Sequence, residues 1–182
     1  MLAFKPPTRY KVTMARCEIR DGDREEVARF IEQHWQSRVV MSSGKAYYPH
    51  QEQGFFERRG GEIVGLLTYH VDEQCMEILT LNSTVEGQGI GSMLMLSAID
   101  SARELGCKKI WLTTTNDRLR VVDFHQRLGF RLTKVKLGVV DEARKVKPQI
   151  PLAGERGVPI RDELVMELEI EPYLDGETVC NT

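Results

Sequence analysis

Three glycines at alternate positions, in Glu86-Gly87-Gln88-Gly89-Ile90-Gly91-Ser92, stand between a strand-like run at 77–82 and a helical pattern from Ser92 to Leu105. Met95, Ala98, Ile99 and Ala102 fall on one face of that helix, and Gly106 suits the residue just past its end. A helix start leaves several backbone N–H groups without partners and carries partial positive charge. Glycines let such a backbone approach an anion closely, so strand, glycine turn and helix together form a phosphate cradle. The alternative is a glycine-rich turn with no ligand. Two familiar phosphate sites fit poorly. No Lys stands where a P-loop needs one. Ser92 occupies the place of the third glycine in a dinucleotide fingerprint, which also requires a parallel β-α-β start.

The strand before this turn closes a run of strands. Phe55 to Arg59 leads through Gly60-Gly61 into Ile63 to Val71, and Met76 to Leu81 follows after Asp72-Glu73-Gln74. Short connections make these three an antiparallel meander. Upstream, Cys17-Glu18-Ile19-Arg20 alternates as a short strand. Asp23 and Glu26 have capping-box spacing ahead of Val27, Phe30, Ile31 and Trp35, which predicts a helix over 24–36. Segment 37–53 shows no clean period and reads as loop with one short helix. Downstream, the pattern predicts a strand at 109–115, a helix at 118–128 stopped by Gly129, a strand at 130–137 and a short helix at 141–146. A proline- and glycine-rich loop at 147–160 precedes a last strand at 164–170. The sequence thus reads as one α/β (α+β) domain over 1–172, with a frayed tail at 173–182.

Composition excludes several classes. The net charge of -2 argues against a nucleic-acid binder. No apolar run reaches the roughly 18 residues of a membrane span, and Met1 to Pro7 lacks a signal-peptide core. Cys17, Cys75, Cys107 and Cys180 are scattered and read as reduced thiols of a cytoplasmic protein. His34, His50 and His70 do not fall at ligand spacings, so no metal is expected. Trp35 and Trp111 read as packing.

Glu77-Ile78-Leu79-Thr80-Leu81, the glycine turn, and Asn116 followed by Phe124-His125-Gln126-Arg127-Leu128-Gly129-Phe130 resemble the GNAT superfamily of N-acetyltransferases. The resemblance spans about 17–170, and the order of elements agrees with that fold: a mixed, mostly antiparallel central sheet flanked by helices. It implies acetyl-CoA as cosubstrate and a small-molecule or peptide amine as acceptor, attacking directly in a ternary complex. It sets Leu79, Leu81, Gln88, Gly89, Ile90, Gly91, Ser92, Asn116 and Phe124 around the coenzyme, with Phe124 and Phe130 as packing rather than stacking platforms. A homodimer through the late strands is also implied. Segments 144–151 and 157–163 resemble a tail found in a subset of bacterial members. Glu86 departs from the family's usual Arg or Gln, so its side chain is expected to face solvent and leave the grip to the amides of Gln88 to Ser92. His125 stands where the family usually has a tyrosine.

The chemistry sets what the remaining residues must do. Freeing a lysine-like amine of pKa about 10.4 costs roughly 4.6 kcal/mol at pH 7, against about 1 kcal/mol for an α-amino group near 7.8. A base is therefore important for one acceptor and nearly optional for the other. Glu77 is the candidate base, unless it is a plain surface residue of its strand. A backbone N–H near Leu81 would meet the oxyanion. His125 is the candidate acid for the leaving thiolate, or else a histidine packed on a helix face. Asn116 is either a coenzyme ligand or the cap of the next helix. The acceptor site is expected from 36–53 and 147–163. Arg38, Lys45, Arg144, Lys145, Lys147 and Arg161 there suggest a basic rim favouring an acceptor with a carboxylate or phosphate. A coenzyme-binding module without turnover is the competing class, because Glu86 and His125 both depart from pattern.

Overall fold

The computed structural model describes residues 17–154 and 157–171; the N-terminal segment, Cys180 and the tail 173–182 lie outside the described residues. The chain begins with β1 (Cys17–Glu18) and α1 (Arg24–Trp35), then a small hairpin of β2 (Val40–Ser42) and β3 (Lys45–Tyr47). The meander follows as β4 (Gln53–Arg59), β5 (Glu62–Asp72) and β6 (Cys75–Ser83), and the glycine turn leads into α2 (Ile90–Glu104). The second half comprises β7 (Lys109–Thr115), α3 (Leu119–Arg127), β8 (Arg131–Lys136), α4 (Val139–Val146) and β9 (Glu163–Glu169). Among the described residues no helix is long and apolar enough to cross a membrane.

Seven strands form one sheet in the order β1-β4-β5-β6-β7-β9-β8. Every pairing is antiparallel except β6 with β7, which is parallel. The sheet is therefore mixed and mostly antiparallel, with helices on its two faces, as expected from the sequence. On one face α2 buries Leu94, Met95 and Ala98 against Leu67, Met76, Ile78 and Ile110. On the other, Val27, Phe30 and Ile31 of α1 pack on Phe56, Ile63 and Leu66. These apolar stripes supply the main driving force for layering.

Two details of this frame position the site. The parallel ladder joins Cys75–Ile78 to Lys109–Leu112 and stops there, although both strands run on. Next to the stop, Thr68 pairs with Thr80 but Tyr69 pairs with Ile78, so Leu79 is the extra residue of a bulge. A bulge bends its strand and increases twist, which turns β6 away from β7 and opens a wedge. The second detail is Gly65. A Cβ there would lie 2.4 Å from Ile90 Cγ2 and 3.1 Å from Leu94 Cδ1. The missing side chain lets the first turn of α2 sit directly on β5.

Two expectations change. Segment 37–53 holds the β2–β3 hairpin as well as a single 3-10 turn at Pro49–Gln51. Asp23 does not cap α1 with its side chain; its carboxylate accepts the Arg20 N–H at 3.0 Å instead. That bond closes the turn ahead of the helix.

Candidate active site

The glycine turn has the backbone geometry that an anion cradle needs. Gly87 and Gly89 have φ of +72° and +73°, the left-handed region in which a Cβ is strained. Gly89 is the N-cap of α2, and its carbonyl accepts the first helical bond from Met93 N–H at 2.9 Å. The amides of Ile90, Gly91 and Ser92 precede that bond and have no carbonyl within the helix to meet. No side chain caps this end, and its first turn carries no acid. Glu86 is exposed, so its charge is held in water rather than over the amides. Gln88 is exposed too, and its side-chain oxygen accepts from the Arg59 guanidinium. Arg59 was not singled out by the sequence, because it sits 29 positions away on β4. Phe124 lies against the start of α2, its ring 3.6 Å from where a Gly91 Cβ would stand.

Glu77 is 4% exposed, which removes the surface-strand alternative. One carboxylate oxygen accepts from Ser42 Oγ, and the other from the Tyr47 hydroxyl at 2.8 Å. Ser42 Oγ also lies 3.1 Å from Thr113 Oγ1 on β7. The β2–β3 hairpin thus closes over the end of the β6–β7 ladder and pins the carboxylate in place. Burial first, then the bond to Glu77, push the Tyr47 phenol above its usual range. It therefore stays protonated at neutral pH.

Next to this pair, Lys136 Nζ donates to Ser43 Oγ, and the Ser43 backbone lies near the Glu163 carboxylate. Glu163 is 7% exposed and keeps Oε2 without a partner among the described residues. Burial raises its pKa above the ordinary carboxyl value, Lys136 opposes the rise, and the charge of Glu77 adds to it. An open cleft of about 330 Å³ lies over Glu77, with Tyr47, His70, Asp72 and Trp111 in its walls. Trp111 is therefore more than packing, unlike Trp35, whose indole N–H is spent on Asn82 Oδ1 at 2.6 Å.

Two resemblance-based roles meet a different geometry. Asn116 Oδ1 accepts the N–H groups of Arg161 and Asp162 at 3.0 and 3.1 Å, and Nδ2 donates to Pro159 O at 2.9 Å. Its side chain staples the crossover loop to β7; it neither caps α3, whose N-cap is Arg118, nor faces the wedge with a free amide oxygen. His125 is buried, with Nδ1 2.8 Å from the Val121 carbonyl and Nε2 without a partner among the described residues. A carbonyl only accepts, so the neutral ring carries its proton on Nδ1 and a bare lone pair on Nε2. Burial lowers its pKa against the smaller raising effect of the Val121 bond. At neutral pH this imidazole has no proton to offer from Nε2.

The basic rim is also largely consumed. Arg38 pairs with Glu25 and Glu32, Arg144 holds the carbonyls of Ile150, Pro151 and Ile160, and Lys147 Nζ holds Val39 O at 2.9 Å. These cations stitch the 147–160 loop and the hairpin base. Of the six, Lys45 lines the cleft.

Comparison with known proteins bears on the family and the fold. The chain is 38% identical over 146 residues to YxbD, an uncharacterized protein of Bacillus subtilis, covering 80% of this chain and 92% of that protein. It is 34% identical over 143 residues to YdhI of the same organism, with 78% and 89% covered. A GNAT family acetyltransferase from Elizabethkingia anophelis with acetyl-CoA bound superposes with a TM-score of 0.63 at 19% identity, over 87% of this chain and 99% of that one. A Bacillus subtilis acetyltransferase in complex with CoA gives 0.57 at 20% identity, over 80% and 86%. These two structures share the fold. The profile of the acetyltransferase (GNAT) family matches residues 16–130, well over half of the sequence, and the chain belongs to that family.

Proposed function

We propose that this protein is an acetyl-CoA-dependent N-acetyltransferase in which the acceptor amine attacks directly, within a ternary complex. The observation that carries this is the placement of Glu77: a buried carboxylate, held by two hydroxyls, one rung before β6 and β7 part. The same strand leads at its other end to the uncapped start of α2. One strand thus connects a proton acceptor to an anion cradle.

The uncapped amides of Ile90 to Ser92 fit the pyrophosphate of the coenzyme, and Arg59 stands near enough to add a cation. Bound there, acetyl-CoA supplies an activated acetyl thioester. Leu79 and Leu81 lie on the stretch of β6 that has left the ladder with β7, and a backbone N–H near Leu81 is the donor for a carbonyl oxygen gaining charge. On the acceptor side, the Tyr47 oxygen takes a proton from the amine while its own passes to Glu77 Oε2 along the 2.8 Å bond. No tyrosinate is formed in that relay, consistent with a phenol held protonated. Ser42 keeps Glu77 oriented throughout.

Coenzyme binding without turnover is the second reading, favoured by an imidazole at 125 that has no proton for a departing thiolate. CoA, ATP and NAD are compared by thermal shift, and thiol release from acetyl-CoA is followed with a panel of amines. CoA at 100 times its Kd should stabilise the protein by about 2.7 kcal/mol, and ATP or NAD by far less. Thiol release that depends on amine supports the transferase. A CoA shift without release on any amine leaves the binding module.

A further inference from the structure

The relay at Glu77 leaves a proton in a sealed place. Glu77 is 4% exposed, and the hairpin covers both its oxygens through Ser42 and Tyr47. Tyr47 is buried too. Every turnover that strips an ammonium must pass one proton from here to water. The sheet register sets an exit beside it. Gln53 opposes Tyr69, His70 opposes Glu77, and Glu77 opposes Trp111. Glu52, just ahead of β4, therefore stands in one row with His70, Glu77 and Trp111. Residues opposed in this way share a face, and neighbouring strands are about 4.8 Å apart.

His70 is held in that row as a proton carrier needs to be. Its Nδ1 lies 3.0 Å from Glu52 Oε2. A carboxylate only accepts, so Nδ1 carries the hydrogen and the neutral ring presents a bare lone pair at Nε2. His125 has the same tautomer, but its Nε2 is enclosed. That of His70 is neither enclosed nor bonded among the described residues. The His70 side chain is 38% exposed and stands in the wall of the open cleft over Glu77. Its ring centroid is 5.5 Å from that of Tyr47. One ring thus reaches from the relay to solvent, and imidazole exchanges a proton readily near neutral pH. The other groups nearby fit the task less well. Lys45 and Lys136 have no lone pair while charged, and Lys136 is turned to Ser43 Oγ and the Trp111 ring. Asp72 opposes Cys75, two residues beyond His70, which is about 7 Å further along the strand.

We propose that His70, oriented by Glu52, is the exit for the proton that the acceptor amine loses. The proton that has reached Glu77 crosses one cleft water to His70 Nε2, whose lone pair takes it. The imidazolium then yields its Nε2 proton to bulk water and returns to the starting tautomer, and Glu77 is again a carboxylate. Glu52 is a positioning residue that keeps the hydrogen on Nδ1 and the exchanging site on Nε2. The inference rests on the transferase reading, since without amine attack there is no proton to export.

The test follows amine-dependent thiol release by the whole chain in weak buffer, with the alkylamine that releases thiol fastest. His70→Ala should lower kcat roughly tenfold or more, the low side of what a placed acid–base group contributes, with the Kd for CoA unchanged. Added imidazole should restore kcat in proportion to its concentration, and sodium chloride at equal ionic strength should not. The parent should respond to neither. His70→Gln keeps more of the side-chain volume and should behave as His70→Ala does. Glu52→Gln should lose less and should also gain from imidazole. A parental kcat in either His70 variant, or a loss that imidazole leaves untouched, would overturn the inference while the transferase reading stands. A parent that releases no thiol with any amine would overturn both.

Discussion

The proposed coenzyme cradle and the proposed acceptor cleft are two ways of building a site on one sheet. The cradle comes from a single contiguous stretch, Gly87 to Ser92, and its binding groups are backbone amides. The polar cluster beside the cleft is assembled from Ser42, Tyr47, Glu77, Thr113, Lys136 and Glu163, which belong to six different strands. Other helix starts in the same molecule sharpen the contrast. The first turns of α1 and α4 carry Glu25 and Glu26, and Asp141 and Glu142, which answer their own dipoles. The α2 start carries no acid, so its field is available to a ligand. A backbone site tolerates side-chain change, which is why an exposed Glu86 can stand where an Arg or Gln is usual. A side-chain site does not.

That difference is broken most directly at Glu77. Glu77→Gln keeps the shape and the Tyr47 contact but removes the proton acceptor. For an alkylamine of pKa near 10, kcat/KM should fall by roughly 10²-fold or more, the usual size of a lost general base. For an α-amino acceptor the loss should be much smaller, since little deprotonation is needed. The Kd for CoA should not move. A comparable loss for both acceptor types would show that Glu77 holds the cleft together rather than taking the proton.

The complementary perturbation is Gly89→Ala. At φ +73° a Cβ costs about 1–2 kcal/mol, and relief of that strain would move the amides of Ile90 to Ser92 off the anion. CoA affinity should drop by about tenfold, while KM for the amine stays within twofold of the parent. Glu86→Gln should change neither, because that side chain is in water. If Glu86→Gln tightens CoA as much as Gly89→Ala loosens it, side chains govern the cradle after all.

The same contrast explains what was legible in the sequence. The cradle is local, so three alternate glycines and a helical stripe announce it within about twenty residues. The meander and the order of the later elements were equally readable, because strand alternation and turn residues are local signals; Glu77 was singled out by resemblance to the family, and its burial was left open. The β2–β3 hairpin was not. Its signal is Ser43-Gly44, whose φ of +51° and +82° make a two-residue hairpin turn, but three-residue strands around it leave too short a pattern to count. With the hairpin missing, Ser42 and Tyr47 could not be brought to Glu77. Glu163 and Lys136 escaped for another reason: their meeting depends on the register of β8 against β9, which no single segment encodes. Asn116 shows the opposite hazard. Its position matches the family's pattern, but the chain spends its amide on the 159–162 backbone.

His125 gives the smallest expected effect on turnover and the clearest one on pH. The Nδ1–H is committed to Val121 O, and burial lowers the pKa, so the folded ring stays neutral below its ordinary value of about 6.5. The unfolded chain takes up that proton as pH falls through about 6.5, and the native state does so only at lower pH. Stability attributable to this ring is therefore fully present above about pH 6.5 and is lost progressively as pH falls toward the depressed folded value. His125→Phe removes the titration while keeping a ring between Phe124 and Phe130. Its denaturation midpoint should vary less with pH on the acid side of 6.5. The remaining slope comes in part from His50, whose pKa burial also lowers. Turnover from pH 6 to 9 should stay within about threefold of the parent, since protonating a thiol of pKa near 8.5 helps little at neutral pH. A tenfold fall in kcat that is largest at pH 6 and shrinks with rising pH would mean that a protonated imidazole serves the leaving thiolate, and the lone pair at Nε2 would have to be reassigned.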